Sequence, residues 1–209
     1  MPLFYQHNIN QSARLAVWKI TEPEDFFLKK VTIQKEITHL HKRLQHLAGR
    51  YLLQILDPGF PMNLIEISET KKPLLANSKW HFSISHCGDF AAAIISETRS
   101  VGIDVEVVTP KIGVIKDRFL SENELHLIQA KNRELPITMH EIITLFWSAK
   151  ESIFKWYGKG NLSFKNNMRL YDLYFENEAG IIKANFIKDG IEELNIAFVF
   201  FENLCLSWV

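Results

Sequence analysis

The sequence predicts an α+β protein built in two parts. Two long segments, residues 31–56 and 138–157, space their apolar residues by three and four, as a helix with one buried face requires. Runs with strand-like alternation surround each of them, and the pattern changes after Pro110 without a long or low-complexity linker. Residues 1–106 and 107–209 are therefore expected to form two closely packed subdomains, each an antiparallel sheet with a long packed helix.

Taken in order, "RLAVWKI" (14–20) alternates apolar and polar residues and reads as a half-buried strand. Residues 31–56 place Ile33, Ile37, Leu40, Leu44, Leu47, Tyr51 and Ile55 on one helical stripe, ended by the turn residues "DPGFP". Strands follow at "MNLIEIS", at "HFSISHCGDFAAAIIS" with a hairpin turn at Cys87-Gly88-Asp89, and at "SVGIDVEVV". Residues 111–131 read as helical, with "LSEN" resembling an N-cap and an acidic first turn. The helix at 138–157 stops at Gly158 and Gly160. "MRLYDLYF", "GIIKANFI", "LNIAFVFF" and "LCLSWV" then form a strand meander.

With 47% hydrophobic residues in 209, the chain has enough apolar surface for a core in each of two units of about 100 residues. Lys plus Arg and Asp plus Glu balance at 24 each, so no global field recommends nucleic acid or membrane as a partner. Cys87 and Cys205 form neither a metal-spaced pair nor a disulfide framework and read as reduced thiols. "MPLFYQHNIN" lacks a basic start followed by an apolar run, and no stretch approaches ~18 uninterrupted apolar residues. The expectation is a soluble, cytoplasmic protein.

Two acids stand out on the last strand of the first half. In "SVGIDVEVV", Val101, Ile103, Val105 and Val107 share one face, and Asp104 and Glu106 share the other, roughly 6.5 Å apart at Cα. Both carboxylates can then meet one cation, with Gly102 leaving room beside them. A solvated acidic edge is the bland alternative. The 138–157 helix adds Trp147, Lys150, Glu151 and Lys155 along one side. An ordinary Glu151–Lys155 helix pair accounts for two of these and leaves the indole and Lys150 unexplained. Asp104, Glu106 and Glu151 as donors to a hard divalent ion, with Lys150 and Lys155 as cations for phosphate oxygens, suit chemistry on a pyrophosphate.

"VGIDVE" followed by "WSAKESIFK" resembles the paired signature of the 4′-phosphopantetheinyl transferases, and "HFSISH" and "KKPLL" resemble two further elements of that family, in its order, over residues 71–160. By length the chain is similar to the longer, Sfp-like, monomeric kind. That resemblance implies a pseudo-dimer of two similar subdomains with coenzyme A in the cleft between them. The implied reaction moves the 4′-phosphopantetheine arm of coenzyme A to a serine of an acyl or peptidyl carrier protein, with Mg²⁺, and releases 3′,5′-ADP.

The resemblance also implies roles. Asp104, Glu106 and Glu151 hold Mg²⁺, Glu151 also serving as general base, and Lys155 meets the pyrophosphate. Lys150 adds charge at the cleft, and Trp147 positions the helix or walls the pantetheine channel. His86, with Ser85 beside it, donates to a coenzyme A phosphate, and Lys72 meets the nucleotide end. In the first long helix, His39, Lys42, Arg43, His46 and Arg50 form a basic side, with Arg43 and Arg50 as candidates for the 3′-phosphate; a solvated charged face is the alternative. Cys87, whose thiol is a poorer donor to phosphate than a hydroxyl, stands where many relatives have Ser. Residues 112–128 mix apolar and charged residues as a carrier-docking surface would, or as a core-packed helix would. A Mg²⁺ nuclease and a non-catalytic carrier-binding relative remain as rivals.

Overall fold

The computed structural model describes residues 3–32, 37–68, 72–76 and 80–209. The chain divides into two compact units, Met1–Val105 and Glu106–Val209, each with its own apolar core. The first contains β1 (Leu3–Asn8), β2 (Ala13–Lys19), α1 (Glu24–Leu28), α2 (Leu40–Leu56), β3 (Ile65–Ile67), β4 (Pro73–Leu75), β5 (His81–Cys87) and β6 (Phe90–Ser96). β7 (Ile103–Val107) carries the boundary between Val105 and Glu106. The second holds α3 (Ile112–Phe119), α4 (Glu122–Glu134), α5 (Met139–Tyr157), α6 (Phe164–Asn167) and β8 (Met168–Glu176), β9 (Ala179–Ile187), β10 (Ile191–Phe201) and β11 (Leu204–Trp208). This is a mixed α+β architecture with antiparallel sheets.

In the first unit the sheet order is β1-β2-β6-β5, with antiparallel pairing throughout. β5 and β6 are joined through Gly88, at φ 53°, and Asp89, which gives the hairpin expected from "CGD". Gln45 on α2 donates to the Gly88 carbonyl at 2.8 Å and so ties that turn to the helix. α2 starts at Leu40, with His39 as N-cap, rather than near residue 31. Thr32, Ile37 and Thr38 are β-branched and weak helix formers, and the Val31 N–H already closes α1 by donating to Phe27 O. Ile33 lies outside the described residues, and Leu40 is more than half exposed, so the apolar stripe begins at Leu44.

The helix crosses the sheet closely at Gly49, where an added Cβ would stand 2.5 Å from Ile84 Cγ2. That branched carbon has little freedom to retreat. Gly49→Ala is therefore expected to lower the urea-unfolding free energy by roughly 1–3 kcal/mol from overpacking, against a helix-propensity gain of about 1 kcal/mol. A variant more stable than the parent would show that the close approach is absent.

The second unit orders its strands β7-β11-β10-β9-β8, the last four as an antiparallel meander. The expected helical region 111–131 is two helices. α4 starts at a capping box in which the Ser121 hydroxyl accepts from Glu124 N–H and the Glu124 carboxylate accepts from Ser121 N–H. Thr138 and Glu141 repeat the device at the start of α5, and Gly158, at φ 70°, ends α5 in the left-handed conformation. α5 rests on β11 through small residues: the Ser148 and Ser152 hydroxyls lie 2.9 and 3.0 Å from that of Ser207. β1, α1, β4 and the 3-10 turn at Met62–Leu64 were not anticipated; each is six residues or fewer, too short for a periodicity to stand out.

Candidate active site

In the first unit the "HFSISH" strand builds a support for Asp104. Ser85 Oγ donates to Asp104 Oδ1 at 2.8 Å, and the Ile103 N–H donates to Ser83 Oγ at 3.3 Å. Asp104 is 2% exposed and Ser85 6%. The serine thus serves the carboxylate, which corrects its expected role as a coenzyme A contact: Ser85 points inward because side chains alternate along β5, and His86, next in sequence, is exposed.

The basic side of α2 is also redistributed. Arg43 gives Nε and Nη2 to Glu24 at 2.5 and 2.7 Å and Nη1 to the Ile37 carbonyl at 2.7 Å. The guanidinium holds the Glu24 carboxyl below the usual carboxylate range, and Glu24 raises Arg43 in turn. Its fork is filled by α1 rather than presented to a phosphate, which corrects the expectation for Arg43. Arg50 is buried, donates from Nε to His46 Nε2 at 2.8 Å, and is pushed down by burial. Lys72 is likewise pushed down by burial and lines a recess of about 90 Å³ with Trp80, His81, Phe82 and Ser100. Lys71 lies outside the described residues.

In the second unit, Trp147 Nε1 donates to Glu106 Oε1 at 3.0 Å. The indole is gripped by Phe119 and Phe164, with ring centroids at 5.0 and 5.5 Å. Glu106 and Trp147 border a pocket of about 330 Å³ with apolar walls from Val107, Ile112 and Ile115. Lys111, Thr109 and Thr144 add polar groups; Thr144 Oγ1 is buried and has no hydrogen-bond partner among the described residues. Glu151 lies one turn beyond Trp147 and Lys155 one turn beyond Glu151; both are half-buried.

Lys150 does not join them. It is fully buried, with Nζ 2.7 Å from Glu124 Oε1 and donating to the carbonyls of Phe119 and Phe164 at 2.8 Å each. Burial pushes its pKa below the ordinary lysine value, and the Glu124 carboxylate opposes that shift. The expectation of a phosphate-facing Lys150 is overturned, for a geometric reason. At 100° per residue, Lys150 and Lys155 lie roughly 140° apart around the helix. Lys150 falls toward the face that buries Phe146, Ala149 and Ile153, while Glu151 and Lys155 fall away from it.

Sequence reasoning missed Glu124 as a buried anion. Glu124 follows the "LSEN" segment directly, and nothing in that segment showed that one of its oxygens would take both Lys150 and the Leu170 N–H, the latter at 3.0 Å.

Among the described residues, no three His, Cys, Asp or Glu side chains gather closely enough to enclose a metal ion. Mg²⁺ commonly binds one or two carboxylates and completes its shell with water and substrate phosphate, and the donors at Asp104, Glu106 and Glu151 are the hard oxygens it prefers. Each of these carboxylates, taken by itself, fits that ion in kind.

The model of the 4′-phosphopantetheinyl transferase superfamily matches residues 100–194, which include β7, all of α5 and most of the meander. Those residues are similar to that superfamily. The chain is 30% identical over 139 residues to the 4′-phosphopantetheinyl transferase gsp of Aneurinibacillus migulanus, covering 66% of this chain and 56% of that protein. It is 34% identical over 106 residues to a 4′-phosphopantetheinyl transferase of Bacillus subtilis, covering 50% and 45%. It is 32% identical over 123 residues to enterobactin synthase component D of Salmonella austin, covering 54% and 47%. The chain thus spans about half the length of the curated relatives it matches. The superfamily match holds both expected signature segments, "VGIDVE" and "WSAKESIFK". No described helix is long and apolar enough to cross a membrane.

Proposed function

We propose that the chain transfers 4′-phosphopantetheine from coenzyme A to a serine of an acyl or peptidyl carrier protein, with Mg²⁺ and with release of 3′,5′-ADP. The observation that carries this reading is the Glu106 carboxylate, fixed by the Trp147 indole at the mouth of an apolar pocket, one helical turn from Glu151. The Glu124–Lys150 pair beneath them stiffens the same helix.

The carrier serine oxygen attacks the β-phosphorus of coenzyme A, the bond from that phosphorus to the bridging oxygen breaks, and 3′,5′-ADP departs. Such a displacement depends on alignment and charge stabilisation. Asp104, Glu106 and Glu151 would offer carboxylate oxygens to Mg²⁺, which when bound would supply charge neutralisation on the pyrophosphate. Glu151 takes the serine proton. Lys155, at the outer flank of α5, meets the pyrophosphate oxygens and favours departure of the nucleotide. The pocket beside Trp147 receives the pantetheine arm, whose amides can donate to Thr144 Oγ1. Ser85 holds Asp104 in one rotamer, and exposed His86 donates to a phosphate of coenzyme A. Lys72 and Arg50 attract its nucleotide end. The protein acts as a monomer in the cytoplasm.

One relative is named as a component of enterobactin synthase, which makes a carrier domain of such a synthase a sensible first acceptor. The test is release of 3′,5′-ADP, followed by chromatography, in mixtures of chain, coenzyme A, apo carrier and Mg²⁺. Release is expected only with all four present, and chelation should stop it. Coenzyme A binding without release would leave a non-catalytic carrier-binding relative, and Mg²⁺-dependent cleavage of DNA or RNA without coenzyme A would point to a nuclease.

A further inference from the structure

The geometry points to a positioning role for the buried Glu124–Lys150 pair: it holds the aromatic clamp on Trp147 and, through the indole, aims the Glu106 carboxylate. Every link is a direct contact. The Lys150 ammonium meets Glu124 at 2.7 Å and donates to the carbonyls of Phe119 and Phe164. These are the two residues whose rings stand against Trp147. The indole N–H then donates to Glu106 at 3.0 Å. Phe119 ends α3 and Phe164 begins α6, so one ammonium ties two separate segments to α5 at the level of the indole. Glu124 extends the tie to the Ser121 and Leu170 N–H groups.

The choice of a charged pair here has a physical reason. An apolar side chain of similar volume would fill the space but leave two buried carbonyls without this donor, and it would set no direction. A buried ion pair is often no more stabilising than good apolar packing. Its three fixed hydrogen-bond directions are what apolar packing cannot supply. Trp147 and Lys150 sit three residues apart, about 60° around the helix, so a shift in the Lys150 partners moves the walls of the indole site directly.

The effect on metal binding rests on the reading of Glu106 as a Mg²⁺ ligand; the clamp itself does not. The test uses the full chain carrying Glu124→Gln with Lys150→Met, which removes both charges and keeps the volumes similar. One readout is exchange of the Trp147 indole proton with water by NMR, assigned among the five tryptophans with Trp147→Phe. The other is affinity for Mn²⁺ alone, by electron paramagnetic resonance. The double variant is expected to melt cooperatively and yet exchange its indole proton about tenfold faster. Its Mn²⁺ affinity should fall about tenfold, as loss of an outer support typically causes. Trp147→Phe should weaken Mn²⁺ by a similar factor, and adding it to the double variant should cost less than about twofold more, because both act along one line.

Unchanged indole exchange in a folded double variant would overturn the proposal, as would Mn²⁺ effects that simply multiply. A parent protein that binds no Mn²⁺ would defeat the metal reading, and the exchange rate would still decide the clamp. If the double variant does not fold, Phe164→Leu removes one face of the clamp without touching the ion pair. Faster indole exchange there supports the clamp, and parental exchange contradicts it.

Discussion

On the proposed function, Glu151→Gln is expected to lower the turnover of pantetheine transfer by about 10²–10³-fold, the scale for losing one group that stabilises developing charge. The amide keeps the volume and helix propensity of the acid but carries no charge for a metal and cannot take a proton. Glu151 lies on the flank of α5 turned away from Phe146, Ala149 and Ile153, so the apolar core of the unit does not depend on it. Thermal melting should be unchanged, and coenzyme A affinity should move by less than about threefold, because binding shared by ground and transition states survives the change. The comparison with Asp104→Asn is informative. Asp104 is buried and accepts from Ser85, so its loss should lower both transfer and stability. Full turnover in Glu151→Gln at parental protein levels would remove Glu151 from the mechanism.

Lys150→Met destabilises the protein instead of impairing its affinity for coenzyme A. Removing the ammonium strands the Glu124 carboxylate at 1% exposure and takes a donor from two buried carbonyls. Breaking a buried pair in this way costs about 3–5 kcal/mol. Urea unfolding should show that loss, and neutralising the second partner with Glu124→Gln should restore part of it. The fraction of protein that remains folded should bind coenzyme A normally. A stable Lys150→Met protein with weakened coenzyme A binding would return Lys150 to the phosphate-facing role its place in "WSAKESIFK" suggests.

The contrast between residues 150 and 151 illustrates what the sequence could and could not convey. The long periodic segments were legible. α5, the meander β8–β11 and the "CGD" hairpin follow from apolar spacing and turn residues, because burial acts on each of them as a whole. Trp147, Glu151 and Lys155 recur at helical spacing along α5. Lys150 turns inward, which the sequence did not convey, since a spacing of three or four places a residue beside its neighbours without deciding which edge of the stripe is buried. The same limit applies to α2. Arg43 carries the composition of a phosphate ligand, yet Glu24, nineteen positions earlier, occupies its fork. A partner that distant in sequence leaves no periodic trace. Ser85 differs again: strand alternation did encode its inward direction, and the motif drew attention to His86 instead. The hydrogen bond from Trp147 to Glu106 spans 41 positions and became visible only when Glu106 and α5 were placed in one unit.

The central claim is that this chain forms a covalent phosphopantetheine link on a carrier serine. Intact mass spectrometry of an apo carrier, after incubation with the chain, coenzyme A and Mg²⁺, measures that most directly. The account predicts a carrier heavier by one phosphopantetheine group, with the addition mapped to serine and absent when Glu151→Gln replaces the parent. A carrier of unchanged mass, from a folded chain that binds coenzyme A and across several carrier types, would contradict it.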